Sequence, residues 1–194
     1  NARHLYLIGC GTSYHAAAVG SVYIAQLAGL TAIPVLAPQF IAQYAPAVGY
    51  EDVGIFVSQS GETKDVLNAL EAAEKRGMAC FGLANVVGST LTKATSFCLP
   101  LCCGYEISVP ATKTFTNQVV TSLYLAYRLA GKDTSELLRI PELMEQTIEM
   151  VGPQIEAIAK DINEWNDMYC LGYGATYPIA LEGALKLKEI TYAH

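Results

Sequence analysis

Short apolar runs alternating with stretches of helical period organise this chain. The runs at 4–9, 32–36, 53–57, 79–84, 97–101 and 168–171 have the length and the Val, Ile, Leu and Ala content of strands. Between them, 14–28 and 63–76 read as helices. In the second, Val66, Leu67, Leu70 and Ala73 fall on one face and Gly77 supplies a stop. A third stripe, Phe115, Val119, Leu123, Ala126 and Ala130, precedes Gly131 and predicts a helix buried on that side. Strands that alternate with helices and are apolar throughout predict an α/β fold, a three-layer αβα sandwich with a parallel sheet. Ligands of such sheets sit beyond the carboxyl ends of the strands.

Residues 134–164 are more polar and keep a helical pattern, with Pro141 and Pro153 expected to interrupt it. We read 1–133 as a first domain, 134–165 as a helical connector, and 166–194 as the start of a second. The last expectation rests on an internal repeat. Segments 5–20 and 168–183 align without a gap and match at Tyr6/Tyr169, Gly9/Gly172, Gly11/Gly174, Tyr14/Tyr177, Ala17/Ala180 and Gly20/Gly183. The first two glycine pairs fall where a strand turns into a helix, a place that tolerates a Cβ poorly. On this reading the sequence is a cut from a longer chain, the second domain being truncated.

Composition narrows the function classes. The 194 residues are 52% hydrophobic and 15% charged, which suits a buried core rather than disorder. A net charge of -6 argues against nucleic acid as the main partner, but not against a small anion held by amides and hydroxyls. Six cysteines without a C-x-x-C pair and only three histidines point to reduced thiols in a cytosol and to no metal site. No run is long enough to span a membrane.

Three segments could hold an anion. Ser58-Gln59-Ser60-Gly61-Glu62-Thr63 lies between a strand and a helix and brings hydroxyls and free N–H groups to one point, where the helix dipole favours negative charge. An ordinary helix cap explains the same residues equally well, since Ser60 and Thr63 have capping spacing. Gly9-Cys10-Gly11-Thr12-Ser13 repeats the context and shifts the balance toward a phosphate cradle. Glu106-Ile107-Ser108-Val109-Pro110-Ala111-Thr112-Lys113 precedes the third helix, which Thr112 could cap. On a helix at 177–192, Glu182, Lys186 and Glu189 share one face at i, i+4 and i+7. By spacing alone an exposed Glu–Lys pair is the stronger reading. Against it, Glu182 stands where the first repeat has Val19. His15, in the first turn of a helix, reads as a satisfied structural residue.

Taken together, GCGTSYHA, SQSGETKDVLNAL, NVVGSTL, EISVPATKTFTNQ and YPIALEGALKLKEITYAH resemble the sugar isomerase (SIS) family from Tyr6 to His194. Within it they resemble the branch that combines fructose 6-phosphate with ammonia to give glucosamine 6-phosphate. The resemblance implies paired SIS domains, each with a five-stranded parallel sheet, in a cytosolic homodimer that uses no cofactor. It implies that Thr12, Ser13, Ser58, Gln59, Ser60 and Thr63, with Val109 and Ala111 of the third loop, bind a hexose 6-phosphate. Glu189 would be the base that moves a proton between sugar carbons 1 and 2, with Lys186 and Glu182 assisting. A glutaminase domain would precede the segment, and a ring-opening histidine from the partner subunit and a C-terminal lysine would come from sequence beyond it. The family pattern E-I-G-V-A-S-T-K reads E-I-S-V-P-A-T-K here, so Ala111 lacks a serine hydroxyl that faces the sugar in the family. An SIS deaminase running the chemistry in reverse and a non-catalytic sugar-phosphate sensor are the rival readings. Glu189 speaks against the sensor, which needs only the cradle.

Overall fold

A computed structural model describes residues 2–162, 165 and 167–192. Its centre is a parallel sheet of β1 (Leu5–Gly9), β2 (Ala32–Leu36), β3 (Val53–Ser58), β4 (Ala79–Ala84) and β5 (Phe97–Pro100), in the order β2-β1-β3-β4-β5. Alternate side chains leave a strand on opposite faces, and here both faces are covered. Tyr6, Ile8 and Phe56 point to one side, where they meet Phe40, Val66, Ala69 and Leu70. Leu7, Val57 and Leu83 point to the other, toward Ala17, Ile24 and Ala126.

The first side is covered by α2 (Ala37–Gln39), a π-helical turn at Phe40–Tyr44, α3 (Lys64–Glu74) and α4 (Thr90–Ala94). The second is covered by α1 (Thr12–Ala28) and α5 (Lys113–Leu129). Of the predicted apolar stripe of α5, only Ala126 lies on its buried face. Phe115, Val119 and Leu123 are only half-buried, while Thr114, Gln118, Ser122 and Ala126 face inward. The reason is close helix packing. A Cβ added at Gly20 of α1 would lie 2.8 Å from the Cβ of Ser122, so the seam between the helices admits only small side chains there.

A 3₁₀ turn (Ser135–Arg139) leads into α6 (Ile140–Ile162), none of whose described side chains is fully buried. Neither proline interrupts it. Pro141 occupies the first turn, where a missing N–H costs nothing. Pro153 lies inside the helix, and Gly152 before it has no Cβ to clash with the proline ring. The expected strand at 168–171 is not formed either. It pairs with no neighbour among the described residues, and beyond the half-buried Met168 its side chains are exposed, Tyr169 at 93% and Leu171 at 90%. The last helix, α7 (Thr176–Thr191), packs on α1. Glu164, Asn166 and His194, which bounded the expected connector and second domain, lie outside the described residues.

The two glycine turns share a geometry. A Cβ at Gly9 would lie 2.9 Å from the carbonyl carbon of Ser13, and one at Gly172 would lie 2.4 Å from the carbonyl oxygen of Thr176. Gly11 and Gly174 both adopt positive φ, 52° and 57°. Each pair lets an extended segment turn at once into a helix, the first leaving β1 of the sheet and the second leaving the unpaired 168–171 segment.

Candidate functional site

The strand order places a switch point between β1 and β3. They are hydrogen-bonded neighbours, yet β1 feeds α1 on one face and β3 feeds α3 on the other. A crevice must open where the two connections part, at the carboxyl edge of the sheet. Register pairs Ile8 with Phe56, so the 9–13 and 58–63 loops leave adjacent strands roughly 4.8 Å apart.

In the β3–α3 loop, buried Ser58 Oγ accepts the Gly61 N–H at 3.0 Å and lies 3.1 Å from Thr63 Oγ1. Gly61 has φ 67°, and a Cβ there would sit 2.1 Å from Ser89 Oγ. Ser60 Oγ accepts the Glu62 N–H at 3.1 Å. Capping does not explain these residues: Thr63 is the N-cap of α3, and no described side chain bonds the amides of that first turn. Those amides and the Ser58, Ser60 and Thr63 hydroxyls form a concentrated donor set at a helix dipole's positive end. Asn85, which the sequence reading missed, ties this loop to the third one. Its N–H donates to Gln59 O at 3.0 Å, its Nδ2 to Gly104 O at 2.6 Å, and its Oδ1 accepts the Cys103 N–H at 3.1 Å.

The third loop is strapped by a second unforeseen residue. Glu106 Oε2 accepts from the N–H groups of Thr112 (3.3 Å) and Thr114 (2.9 Å) and from Thr114 Oγ1 (2.6 Å). Glu106, not the Thr112 side chain, therefore caps α5. Burial pushes its carboxyl up, but the Thr114 and Thr112 bonds and the charge of Lys113 hold it below the usual range. Val109 is exposed in this loop and Ala111 half-buried.

At the start of α1, two adjacent hydroxyls are engaged by different helices. Thr12 Oγ1 donates to Glu182 Oε1 of α7 at 2.9 Å, and Ser13 Oγ accepts from Gln118 Nε2 of α5 at 2.9 Å. The other Glu182 oxygen is 2.7 Å from His15 Nδ1, and Lys186 Nζ is 3.4 Å from Oε1. Glu182 is 4% exposed, so the surface-pair reading of this helix face is wrong. Spacing shows which side chains share a face, but not that α1 covers it. Lys186 reaches onward to Glu189 Oε2 at 2.5 Å. Burial pushes the Glu182 carboxyl up, but bonds from His15 and Thr12 and the Lys186 charge outweigh it and keep it below the usual range. The structure thus joins Thr12, Glu182, Lys186 and Glu189 in one chain of contacts. It gathers Ser58, Ser60 and Thr63 in a second cluster on the neighbouring strand, and leaves Val109 and Ala111 on the loop that Asn85 tethers.

The SIS domain family profile matches residues 1–128. The chain belongs to the SIS domain family. It is 42% identical over its whole length to a glutamine–fructose-6-phosphate aminotransferase [isomerizing] of Pyrobaculum aerophilum. It is equally similar, 42% over 99% of the chain, to that of Aquifex aeolicus. In each case it spans 33% of the relative's length. Among solved structures, all of it superposes on 57% of the C-terminal domain of glucosamine-fructose-6-phosphate aminotransferase from Francisella tularensis, with TM-score 0.87 and 28% identity. A glucosamine-6-phosphate deaminase of Thermotoga maritima is similarly close, with TM-score 0.86 and 25% identity over 98% of this chain and 59% of that one. The five-stranded parallel sheet with helices on both faces is the expected SIS fold. No described helix is long and apolar enough to cross a membrane.

Proposed function

We propose that this SIS chain is the sugar-phosphate part of an isomerising glutamine–fructose-6-phosphate aminotransferase, taking fructose 6-phosphate and ammonia to glucosamine 6-phosphate. The observation that carries the reading is the docking of α7 at the switch-point crevice. Glu182 bonds to Thr12 and His15 of α1, and Lys186 links it in turn to Glu189, so the acidic face of α7 is fastened to the helix whose N-terminus would receive an anion. In the proposed site the 6-phosphate lies among Ser13, Ser58, Gln59, Ser60 and Thr63, with Thr12 at its edge. Val109 and Ala111 flank the sugar.

Isomerisation then needs one group that takes a proton from a sugar carbon and returns it to the neighbouring carbon. Glu189 suits this role as a compact carboxylate with an adjacent cation, and Lys186 is placed to neutralise it or to hold a sugar oxygen. Glu182 has both oxygens engaged, so it serves as a support for the pair. The same reading brings a homodimer, an upstream glutaminase unit and a cytosolic setting; the relatives' greater length and the chain's free thiols are in keeping with it. It also takes 134–165 as connector and the Gly172–Gly174 turn as the opening of a second SIS unit. A deaminase running the reaction backward is the second reading, favoured by the similarity to the Thermotoga maritima enzyme.

The test is Glu189→Gln in the full-length protein. Sugar-phosphate binding should persist while turnover falls on the order of 10²-fold or more. Exchange of the sugar's carbon-bound hydrogen with heavy water reads the step directly, and undiminished exchange would place the base elsewhere. Net synthesis from glutamine, as against net release of ammonia, separates the two readings.

A further inference from the structure

Gln118 is wholly buried in α5, and its side-chain Oε1 has no hydrogen-bond partner among the described residues. Buried polar atoms without partners are uncommon, and each calls for a physical explanation. Its Nε2 does have a partner, the Oγ of Ser13. Neighbouring Ser122 Oγ donates to the Gln118 backbone carbonyl at 2.8 Å, so no hydroxyl of that turn is offered to Oε1.

A serine hydroxyl has one proton to donate and lone pairs to accept with. Because Ser13 Oγ accepts from Gln118, its proton is not drawn toward α5, and no donation from it occurs among the described residues. Thr12 is in the opposite condition, its proton already committed to the Glu182 carboxylate. Turning the Gln118 amide over would reverse the polarity: Oε1 would take the Ser13 proton, and the amide NH₂ would be left buried without an acceptor. A buried N–H without an acceptor is rarer in proteins than an under-satisfied carbonyl. The orientation found is therefore the one that leaves Ser13 able to donate.

We infer that Gln118 is a positioning residue that fixes Ser13 as the hydrogen-bond donor of the α1 turn, leaving Thr12 to hold α7. The inference rests on the phosphate cradle proposed above. A donor held in advance selects an acceptor-only ligand such as a phosphoryl oxygen and costs no reorganisation on binding. It also explains why a polar side chain occupies a wholly buried position in the α1–α5 seam, where an apolar residue would pack without an orphan atom. Nothing in the spacing of α5 announces this role, because Gln118 lies off the apolar stripe that the sequence displays.

The test uses Gln118→Met in the full-length protein, a substitution of similar length that cannot donate to Ser13. Affinity for fructose 6-phosphate by calorimetry should fall about tenfold, the loss of roughly one charge-assisted hydrogen bond. The KM for that sugar should rise in step while kcat stays within about threefold. In a Ser13→Ala background the same substitution should have almost no further effect, because the two side chains act as one unit. A loss of the same size in both backgrounds would show that Gln118 acts through packing alone, and unchanged affinity would likewise overturn the inference. Gln118→Leu, run through the same cycle, serves where the Met variant does not fold. Fructose and fructose 6-phosphate binding equally to the unsubstituted protein would bring down the cradle itself and this inference with it. Tight phosphate-dependent binding that ignores Gln118 would remove the inference alone.

Discussion

Asp52 shows how much one side chain can carry at the sheet edge remote from the crevice. It is fully buried, and its oxygens take Arg3 Nη2 at 2.6 Å, the Gly49 N–H at 2.8 Å and His4 Nδ1 at 2.9 Å. Burial pushes its carboxyl up, but Arg3, Gly49 and His4 outweigh it and lower it from 3.8 to about 2. A depressed folded-state value stabilises the protein above the unfolded value and is lost as pH falls through the folded one. The contribution, about 2 kcal/mol, should be complete above roughly pH 4 and vanish toward pH 2. Denaturant melts of Asp52→Asn and the unsubstituted chain should therefore converge as pH is lowered from 5 to 2.5. A gap independent of pH would mean that the carboxylate charge is not its source. Gly61 makes a second prediction at this scale. Positive φ and the Ser89 hydroxyl both oppose a side chain there, so Gly61→Ala should cost more than about 1 kcal/mol. It should also weaken sugar-phosphate binding, since Ser58 holds the Gly61 N–H. The serines and glycines of this loop were legible in the sequence as a ligand turn or a cap. The part played by Asn85 was not, because it depends on loops meeting in space, and that of Glu106 was not, because it depends on how its own loop folds back on the first turn of α5.

Among the elements, the strands were the easiest to read. Burial on both faces makes each strand of the sheet a continuous apolar run that differs from expectation only at its ends, by a residue or so, whereas the strand expected at 168–171 is not formed. Helix α5 was misread because its interior face is Thr114, Gln118 and Ser122, chosen for closeness to α1 rather than for hydrophobicity. The α2 and π-helical segment was missed altogether, being too short to display a period. Helix α7 was located well but its environment was not, and it offers a sharp test. Glu182 fastens it to α1 through Thr12 and His15. Glu182→Ala leaves those partners without an acceptor and should cost roughly 3 kcal/mol. Amide hydrogen exchange in α7 should rise sharply while α3 stays protected. Equal exchange in both proteins would mean that α7 is held by packing alone.

At the scale of the whole chain, the sheet and its two helical layers form one tightly packed body, and α6 stands apart from it. An open groove of about 870 Å³ runs between α5 and α6, lined by Val120, Leu137, Met144 and Ile148 and by none of the candidate site residues. With Ile148 66% and Ile155 58% exposed, Lys at either position should move the stability of the 194-residue chain by no more than about 0.5 kcal/mol. A larger loss in thermal melts would show that α6 packs more firmly than its exposure indicates. The repeat that suggested a second unit was legible because glycine is irreplaceable at those turns, whereas the strand at 168–171 needs neighbours that no single segment supplies. The bond between Thr12 and Glu182 joins residues 170 positions apart, while the sheet is complete by Pro100 and Ser13 meets its partner at Gln118. On a ribosome, the pieces of the proposed cradle therefore emerge well before the helix that carries Glu189. On the proposed function, nascent chains stalled with α5 just clear of the exit tunnel should retain a phosphorylated sugar yet leave its hydrogens untouched, recognition then preceding chemistry in the life of each molecule.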